Sequence, residues 1–279
     1  MLERKIKLAL LGAAAGASMI ALSAGSASAV TIDGISFDTG SQFTTATVYE
    51  NNVTTVGQHL QGVGIVTQIT APTCSADGAT ICWQSGDAGH ELTFTFDYVL
   101  EAIGLTADPS VAQAVFGNGI INFYSDGTPD ANPTTGTGYG DGNLWLSLIG
   151  GTVGKVCSDY TAIAASCLSP TAPITLAATY PSDGLLAVDG AGAGHGYLDV
   201  DLGPNSEAGA NYDTNGEALG HDLTLDTSFD IRNPTPVFGI KGTASLNTTT
   251  IPEPTTLSLF GMGLAGLGFG ALRRRRNKA

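Results

Sequence analysis

The sequence predicts a mainly β protein, with an antiparallel β-sandwich or barrel-like domain between a signal peptide and a C-terminal transmembrane helix. Three observations predict this class. The 279-residue chain contains 38 glycines, and only 13% of its residues are charged. Short runs of alternating apolar and polar residues recur along it, separated by Asp-Gly, Asn-Gly and proline-containing stretches typical of turns. Long amphipathic helical patterns do not alternate with these runs.

Residues 91–100 have the clearest strand pattern, because apolar side chains stand at every second position from Leu92 to Tyr98. Further strands are predicted at residues 62–69, 120–124, 144–149, 174–178, 197–202, 223–231 and 237–246. The best helix candidate is the short segment 109–116. The glycine-rich segment 190–196 is predicted to be a flexible loop, since no Lys-Ser/Thr follows it as in a phosphate-binding loop.

Residues 1–29 have the three parts of a secretory signal peptide. Three basic residues within the first seven positions precede an apolar stretch at residues 8–22, and Ala27-Ser28-Ala29 fits an A-x-A cleavage site. The apolar stretch is too short and too rich in alanine and glycine for a permanent span. We therefore expect the mature chain to begin at Val30.

Residues 251–279 form a separate C-terminal segment. The 18 residues from 255 to 272 carry no charge. As a helix they would span roughly 27 Å, against a hydrocarbon core of about 30 Å. Four arginines follow at once, namely Arg273, Arg274, Arg275 and Arg276. This positive flank predicts that the arginines stay in the cytoplasm and that the preceding domain lies outside.

Pro252, Glu253 and Pro254 stand immediately before this apolar segment and its arginine cluster. The order of the three parts resembles the PEP-CTERM sorting signal of Gram-negative bacteria. The resemblance implies that an exosortase, a membrane enzyme of bacteria that make exopolysaccharide, processes the chain near the Pro-Glu-Pro motif. It also implies export through the inner membrane, membrane contact through the C-terminal helix before processing, and a final place at the cell surface or in the extracellular matrix.

Residues 30–250 form the exported, acidic, β-rich domain. They contain 23 acidic and three basic residues, so the domain carries a formal charge of −20. Such a charge repels phosphate backbones, and it suits cations or neutral and basic polymers better. We therefore expect no nucleic-acid partner.

All four cysteines lie in this exported region, where disulfides can persist. Cys74 and Cys82 are eight residues apart, Cys157 and Cys167 are ten apart, and each pair flanks a turn-rich segment. Among the three possible connectivities we favour the local pairs Cys74–Cys82 and Cys157–Cys167. A zinc site is disfavoured because its C-x₂₋₄-C spacing is absent.

Asp126, Asp130 and Asp141 make the segment between two predicted strands rich in carboxylates. Ca²⁺ binds six to eight oxygens from flexible loops of this kind. The full EF-hand pattern is missing, and Asp, Asn and Gly also form turns without any metal. A structural Ca²⁺ at these three aspartates therefore stands as a hypothesis beside the simple turn, and no other cofactor is predicted.

Residues 121–148 read INFYSDGTPDANPTTGTGYGDGNLWLSL. An Asp-x-x-x-Asp-Ala-Asn stretch, a Gly-Thr-Gly-aromatic stretch and an Asp-Gly pair before an apolar strand follow one another there. This order resembles the central segment of flocculation-associated PEP-CTERM proteins. The resemblance implies a non-enzymatic surface or matrix protein that acts in flocculation and biofilm formation together with exopolysaccharide.

Four aromatic residues are candidates for stacking on sugar rings, although several of them fit a protein core equally well. They are Trp83, Tyr124, Tyr139 and Trp145. The alternative function is a secreted carbohydrate-active enzyme, such as a glycoside hydrolase, that uses paired carboxylates. A deep cleft holding two carboxylates with raised pKa values would favour the enzyme, and a domain without such a cleft would favour adhesion.

Overall fold

The computed structural model describes residues 29–38, 40–72, 74, 80–105, 111–151, 174–181, 191–217, 220–230 and 238–248. Its strands are β1 (Val30–Ile32), β2 (Ile35–Phe37), β3 (Gln42–Glu50), β4 (His59–Thr70), β5 (Ile81–Gln84), β6 (Glu91–Leu105), β7 (Val111–Asp126), β8 (Asn143–Gly150), β9 (Ile174–Pro181), β10 (Ala191–Val200), β11 (Leu223–Asp230) and β12 (Ile240–Thr248). One helical turn, α1 (Gly209–Tyr212), lies between β10 and β11. The mainly β, antiparallel class is confirmed.

The main sheet closes on itself into a barrel-like ring. Its strands are hydrogen-bonded in the order β11, β12, β3, β4, β6, β7, β8 and β10, and β10 pairs back onto β11. Strands β8 and β9 share one position in this ring. β9 pairs with residues 111–117 of β7, and β8 pairs with residues 120–125. Within the described residues, every strand of the ring therefore has a neighbour on both sides, and the closed sheet leaves no long unpaired edge there.

The hairpin β1–β2 fills one end of the ring, which we call the hairpin end. Ile35 and Phe37 are almost fully buried there, and Phe37 lies against Trp145 with ring centroids 5.3 Å apart. The hairpin turn is held by Asp33, which accepts hydrogen bonds from Ser125 and Asn143. The bond from Ser125 is the main cause that lowers the pKa of Asp33. Polar contacts to the ends of β7 and β8 thus fix the hairpin in place.

The interior combines large aromatic residues with glycines. Alternation along β6 directs Phe94 and Phe96 inward, and the inward positions opposite them on β4 are Gly64 and Gly62. A Cβ atom at Gly64 would lie 2.2 Å from the Phe94 Cζ, and one at Gly62 would lie 2.3 Å from the Phe96 Cζ. The two aromatic rings occupy the space that a side chain at position 62 or 64 would fill. Both positions therefore require glycine.

Two local predictions are wrong. Residues 111–116, expected to be helical, form the start of β7, because pairing with both β6 and β9 outweighs local helix preference. Residues 191–196, expected to be a flexible loop, form the first part of β10. Their backbone pairs with β11 on one side, and residues 193–196 also pair with β9 on the other. Glycine weakens an isolated strand, but these neighbours hold the backbone in place.

The disulfide Cys74–Cys82 is confirmed. It joins the chain after β4 to β5, where Trp83 is 1% exposed and packs in the core. The pair Cys157 and Cys167 lies outside the described residues. So do residues 1–28 of the predicted signal peptide and the C-terminal segment with Pro252, Glu253, Pro254, Arg273, Arg274, Arg275 and Arg276. Among the residues that the structure describes, no helix is long and apolar enough to cross a membrane.

We expect Gly64→Ala to lower the free energy of unfolding by about 1–3 kcal/mol, because the added methyl group overlaps the Phe94 ring. Urea unfolding measures the change. Gly239→Ala is the matched control, since its nearest neighbour would be 3.7 Å away, and it should change stability little. The double variant Gly64→Ala/Phe94→Leu should lose less than the sum of the single variants. Additive losses would contradict this contact.

Replacing both Cys74 and Cys82 by serine should lower the free energy of unfolding by about 2.5 kcal/mol, because an eight-residue loop is no longer closed in the unfolded chain. Urea unfolding of the double variant against the parent protein measures this loss. If reduction of the Cys74–Cys82 bond left the stability of the parent protein unchanged, that result would contradict the prediction.

Candidate functional site

A groove of about 540 Å³ crosses the outer face of β4, β6 and β7, and it is the candidate functional site. Its principal side chains, which define the outer groove below, are Asn51, Gln61, Thr95, Asp97, Asn122 and Phe238. Gln61, Thr95, Asp97 and Asn122 face outward because their strand neighbours face the core, as the two-residue period of a strand requires. Asn51 follows β3 and Phe238 precedes β12. Register places Gln61 beside Asp97, and Thr95 beside Asn122.

The polar side chains of the groove are held by hydrogen bonds. Gln61 Nε2 donates to Asp97 Oδ2 at 2.7 Å, and Asp97 Oδ1 lies 2.7 Å from His59 Nδ1. Asn51 accepts from the backbone N–H of Gln61 at 2.7 Å and donates to the backbone oxygen of His59 at 2.9 Å. The Asn122 amide oxygen accepts from Ser147. The groove therefore presents amide and carboxylate groups whose positions are fixed before any ligand arrives.

Aromatic residues flank this polar row. Phe238 lies against Tyr49 with ring centroids 6.0 Å apart. Tyr139, on the loop after β7, is close enough to Tyr49 and Glu91 for both to act on its pKa, and burial is the main cause that raises this pKa to about 12. Amide and carboxylate groups next to aromatic faces match the chemistry of a sugar chain, which has hydroxyl groups around its rings and apolar C–H faces.

A cluster of three carboxylates lies outside the groove, at the hairpin end. Ligand oxygens of Glu91, Asp126 and Asp130 lie within 4.8 Å of one another. Glu91 is 4% exposed and accepts backbone hydrogen bonds from Asp130 at 3.0 Å and Ala131 at 3.3 Å. Burial is the main cause that raises the pKa of Glu91; the two backbone bonds oppose it, and Asp130 and Asp126 raise it further. Either a proton or a cation can relieve this repulsion.

The loop between β7 and β8 arranges the cluster. Asp126 accepts a hydrogen bond from the backbone of Thr128 at 2.8 Å, which begins the loop. At Gly138 the backbone has a positive φ of 78°, and a Cβ atom would lie 2.4 Å from an Asp130 carboxylate oxygen, so only glycine fits. Asp141 is exposed and is not part of the cluster. The structure thus brings Asp126 and Asp130 together with Glu91, a residue that the sequence analysis did not select.

The four aromatic residues proposed from sequence fall into two groups. Trp83 and Trp145 are 1% and 0% exposed, so they are core residues, and their proposed role as sugar contacts is wrong. Tyr124 and Tyr139 are partly buried on the outer side of the sheet, near the loop after β7. The outer groove itself was missed, since its side chains come together through strand register, which local sequence does not reveal.

The interior also contains a cavity of about 80 Å³ toward the end of the ring opposite the hairpin. Its lining is mostly apolar, but Glu50 at the end of β3 belongs to it. Burial raises the pKa of the Glu50 carboxyl to about 7. Tyr98 lines the same cavity, and its hydroxyl finds no hydrogen-bond partner in the described part of the chain. Burial also raises the pKa of Tyr98.

The Ca²⁺ hypothesis for the loop after β7 stays a prediction, and the carboxylate cluster gives it a sharp test. If Ca²⁺ binds, millimolar Ca²⁺ should raise Tm by at least about 3 °C, and EDTA should reverse the rise. Asp126→Asn and Asp130→Asn should abolish the shift, whereas Asp141→Asn, the matched control, should keep it. An unchanged Tm of the Ca²⁺-loaded protein after EDTA would contradict the hypothesis.

Ionisation of Glu50 should make the protein less stable as the pH rises. Because the pKa is about 7 in the folded protein and 4.5 in the reference state, the folded form binds the proton more tightly, and stability falls between these values. With allowance for its partial exposure, the loss is on the order of 2 kcal/mol. Glu50→Gln should remove this part of the pH dependence in urea unfolding, and Glu101→Gln should retain it. Equal pH profiles for the parent and Glu50→Gln would contradict the prediction.

Comparison with known proteins identifies a sorting motif in the C-terminal segment. The family profile of the PEP-CTERM protein-sorting motif matches residues 250–276. No curated protein and no solved structure matches the chain. The match covers Pro252, Glu253 and Pro254 together with the apolar segment and the arginine cluster after it. The chain therefore carries a PEP-CTERM sorting motif at its C-terminal end, which supports an exported protein sorted by an exosortase.

Proposed function

We propose that the exported domain is a non-enzymatic surface or matrix protein that acts in flocculation and biofilm formation by binding exopolysaccharide in the outer groove. The observation that carries the proposal is the row of fixed amide and carboxylate groups across β4, β6 and β7. Gln61, Asp97 and Asn122 belong to this row, and Phe238 stands beside it. The sorting motif supports the same setting, because it sends the domain to the outside of the cell.

The form of the groove suits a polymer. It lies on the outer face of the sheet, so a chain longer than the groove could extend beyond it at both ends. Binding sites for small molecules are, in contrast, enclosed and mostly apolar. Each sugar hydroxyl both donates and accepts hydrogen bonds, and the groove offers partners of both kinds in Gln61 and Asp97. Several weak contacts along one polymer add up to firm attachment.

Charge restricts the kind of polymer. The exported region between Val30 and Thr250 carries a formal charge of −20, which repels strongly acidic chains. We propose a neutral or basic exopolysaccharide. The salt dependence of binding distinguishes these cases, because screening weakens attraction to a basic polymer and leaves hydrogen bonding to a neutral one nearly unchanged.

The alternative of a glycoside hydrolase receives less support from the described residues. Such enzymes place two carboxyl groups roughly 5–9.5 Å apart at the bond to be cleaved. In the described ranges the two carboxyl groups with raised pKa values are Glu50, in the interior cavity, and Glu91, at the hairpin end. They lie near opposite ends of the ring, since Glu50 ends β3 and Glu91 begins β6, which runs parallel to β3 two positions away. Glu91 does lie within 4.8 Å of Asp126 and Asp130, but Glu91 is only 4% exposed and none of the three lines the outer groove. We therefore propose binding without catalysis.

The groove is tested with Gln61→Ala/Asp97→Ala, which removes one exposed cross-strand pair. The protein is purified from the producing cells and sedimented with their isolated exopolysaccharide. Loss of two polar partners should weaken binding about tenfold, or roughly 1.4 kcal/mol. Gln42→Ala/Ser245→Ala is the matched control, because it removes a hydrogen-bonded pair of 3.0 Å between neighbouring strands β3 and β12. It should bind like the parent protein.

The same variants test the role in cells. Cells that produce Gln61→Ala/Asp97→Ala in place of the parent protein should form smaller flocs, measured as settled volume, while the control variant should restore normal flocs. Equal polymer binding by all three proteins would refute the groove as the contact surface. Weakened binding with normal flocs would refute the proposed cellular role and leave the binding surface intact.

A further inference from the structure

The interior cavity carries an inference that does not depend on the outer groove. We propose that it binds a small hydrophobic amine in its ammonium form, with aromatic rings around the apolar body and Glu50 as the counter-ion. Such a ligand belongs to a different chemical class from the polymer proposed for the groove. The two sites also use opposite faces of the same sheet, so either can exist without the other.

The cavity has the lining that an apolar molecule requires. Its volume is about 80 Å³, and five aromatic rings contribute to its wall. They belong to Phe94, Phe96, Tyr98, Phe116 and Phe229. Closed sheets of eight strands can hold one small ligand among their interior side chains. A void with apolar walls stays dry and accepts apolar molecules, as engineered cavities show.

One carboxylate gives the cavity its charge preference. Glu50 is the only acidic residue in the described lining, and that lining contains no Lys, Arg or His. Burial alone accounts for the raised pKa of Glu50, which means that no nearby cation of the described protein offsets its charge. A ligand ammonium would supply the missing positive charge. A neutral molecule would leave the carboxylate unpaired in apolar surroundings, which is unfavourable.

The register of the sheet sets this carboxylate beside an aromatic ring. Glu50 pairs with Gly62 on β4, and Gly62 pairs with Phe96 on β6. The Phe96 ring lies over Gly62, which has no side chain, and Glu50 and Phe96 both line the cavity. Ammonium groups are attracted both to carboxylates and to the faces of aromatic rings. The Tyr98 hydroxyl, which lacks a partner in the described ranges, could accept a hydrogen bond from the ligand.

The test compares n-propylammonium with 1-propanol, two molecules of equal size that differ in charge and are small enough for a cavity of about 80 Å³. Isothermal titration calorimetry is done at pH 8 on the protein purified from producing cells. Glu50 is ionised at this pH, since its pKa is about 7. We expect n-propylammonium to bind at least about tenfold more tightly than 1-propanol. Equal affinities, tighter binding of the alcohol, or no binding of either molecule would overturn the proposal.

Substitutions test whether Glu50 causes the preference for the ammonium and whether both molecules bind in the cavity. Glu50→Gln should remove the preference for the ammonium and leave binding of the alcohol, whereas Glu101→Gln, the charge-matched control outside the cavity, should keep the preference. Ala114→Leu, which fills the cavity, should abolish binding of both molecules, and its Tm checks that it folds. If that variant unfolds, Ala244→Val is the smaller substitution for the same purpose. Retained preference in Glu50→Gln would refute the role of this carboxylate.

Discussion

Pairing of β10 with β11 is the interaction on which the rest of the structure depends. It turns a row of antiparallel strands into a closed ring, and closure fixes the interior width. Within that width a large side chain on one strand requires a small one on its neighbour. The row of aromatic residues on β6 and the glycines opposite them on β4 satisfy this limit. The high glycine content is therefore, in part, a result of packing.

Closure also separates two chemical environments along each strand. Inward positions form an apolar core that is plugged by the β1–β2 hairpin at one end and leaves a cavity toward the other. Outward positions on β4, β6 and β7 form a polar groove. The ring thus has an outer groove and an interior cavity, the two places at which we propose binding, and the PEP-CTERM motif supports export of the domain that contains them.

Local sequence predicted those parts of the fold that depend on local pattern. The alternation in β6, the strand-and-turn composition and the short-range disulfide Cys74–Cys82 were all readable from neighbouring residues. The start of β7 and the glycine-rich start of β10 were not, because pairing with distant strands determines their conformation. In a mixed run such as β3, the three threonines Thr44, Thr45 and Thr47 interrupt the apolar positions, so the alternation was too weak to be recognised.

The candidate sites were less predictable than the fold. Asp126 and Asp130 were selected as neighbours in sequence, but their third companion is Glu91, which comes from the preceding strand. Gln61 and Asp97 become neighbours only through the register of β4 and β6. The two tryptophans looked suitable for sugar stacking, yet both are buried in the core. Composition identifies residue types, and only the register shows which of them meet.

The most direct test of the account is the location and intact mass of the protein in producing cells with and without their exosortase. The account predicts a form in the matrix that ends near Pro252-Glu253-Pro254 and is retained there by the exopolysaccharide. Cells without the exosortase should instead keep the full-length chain in the membrane. Full-length protein in the membrane of both strains would contradict the account, since the domain would then never reach the polymer it is proposed to bind.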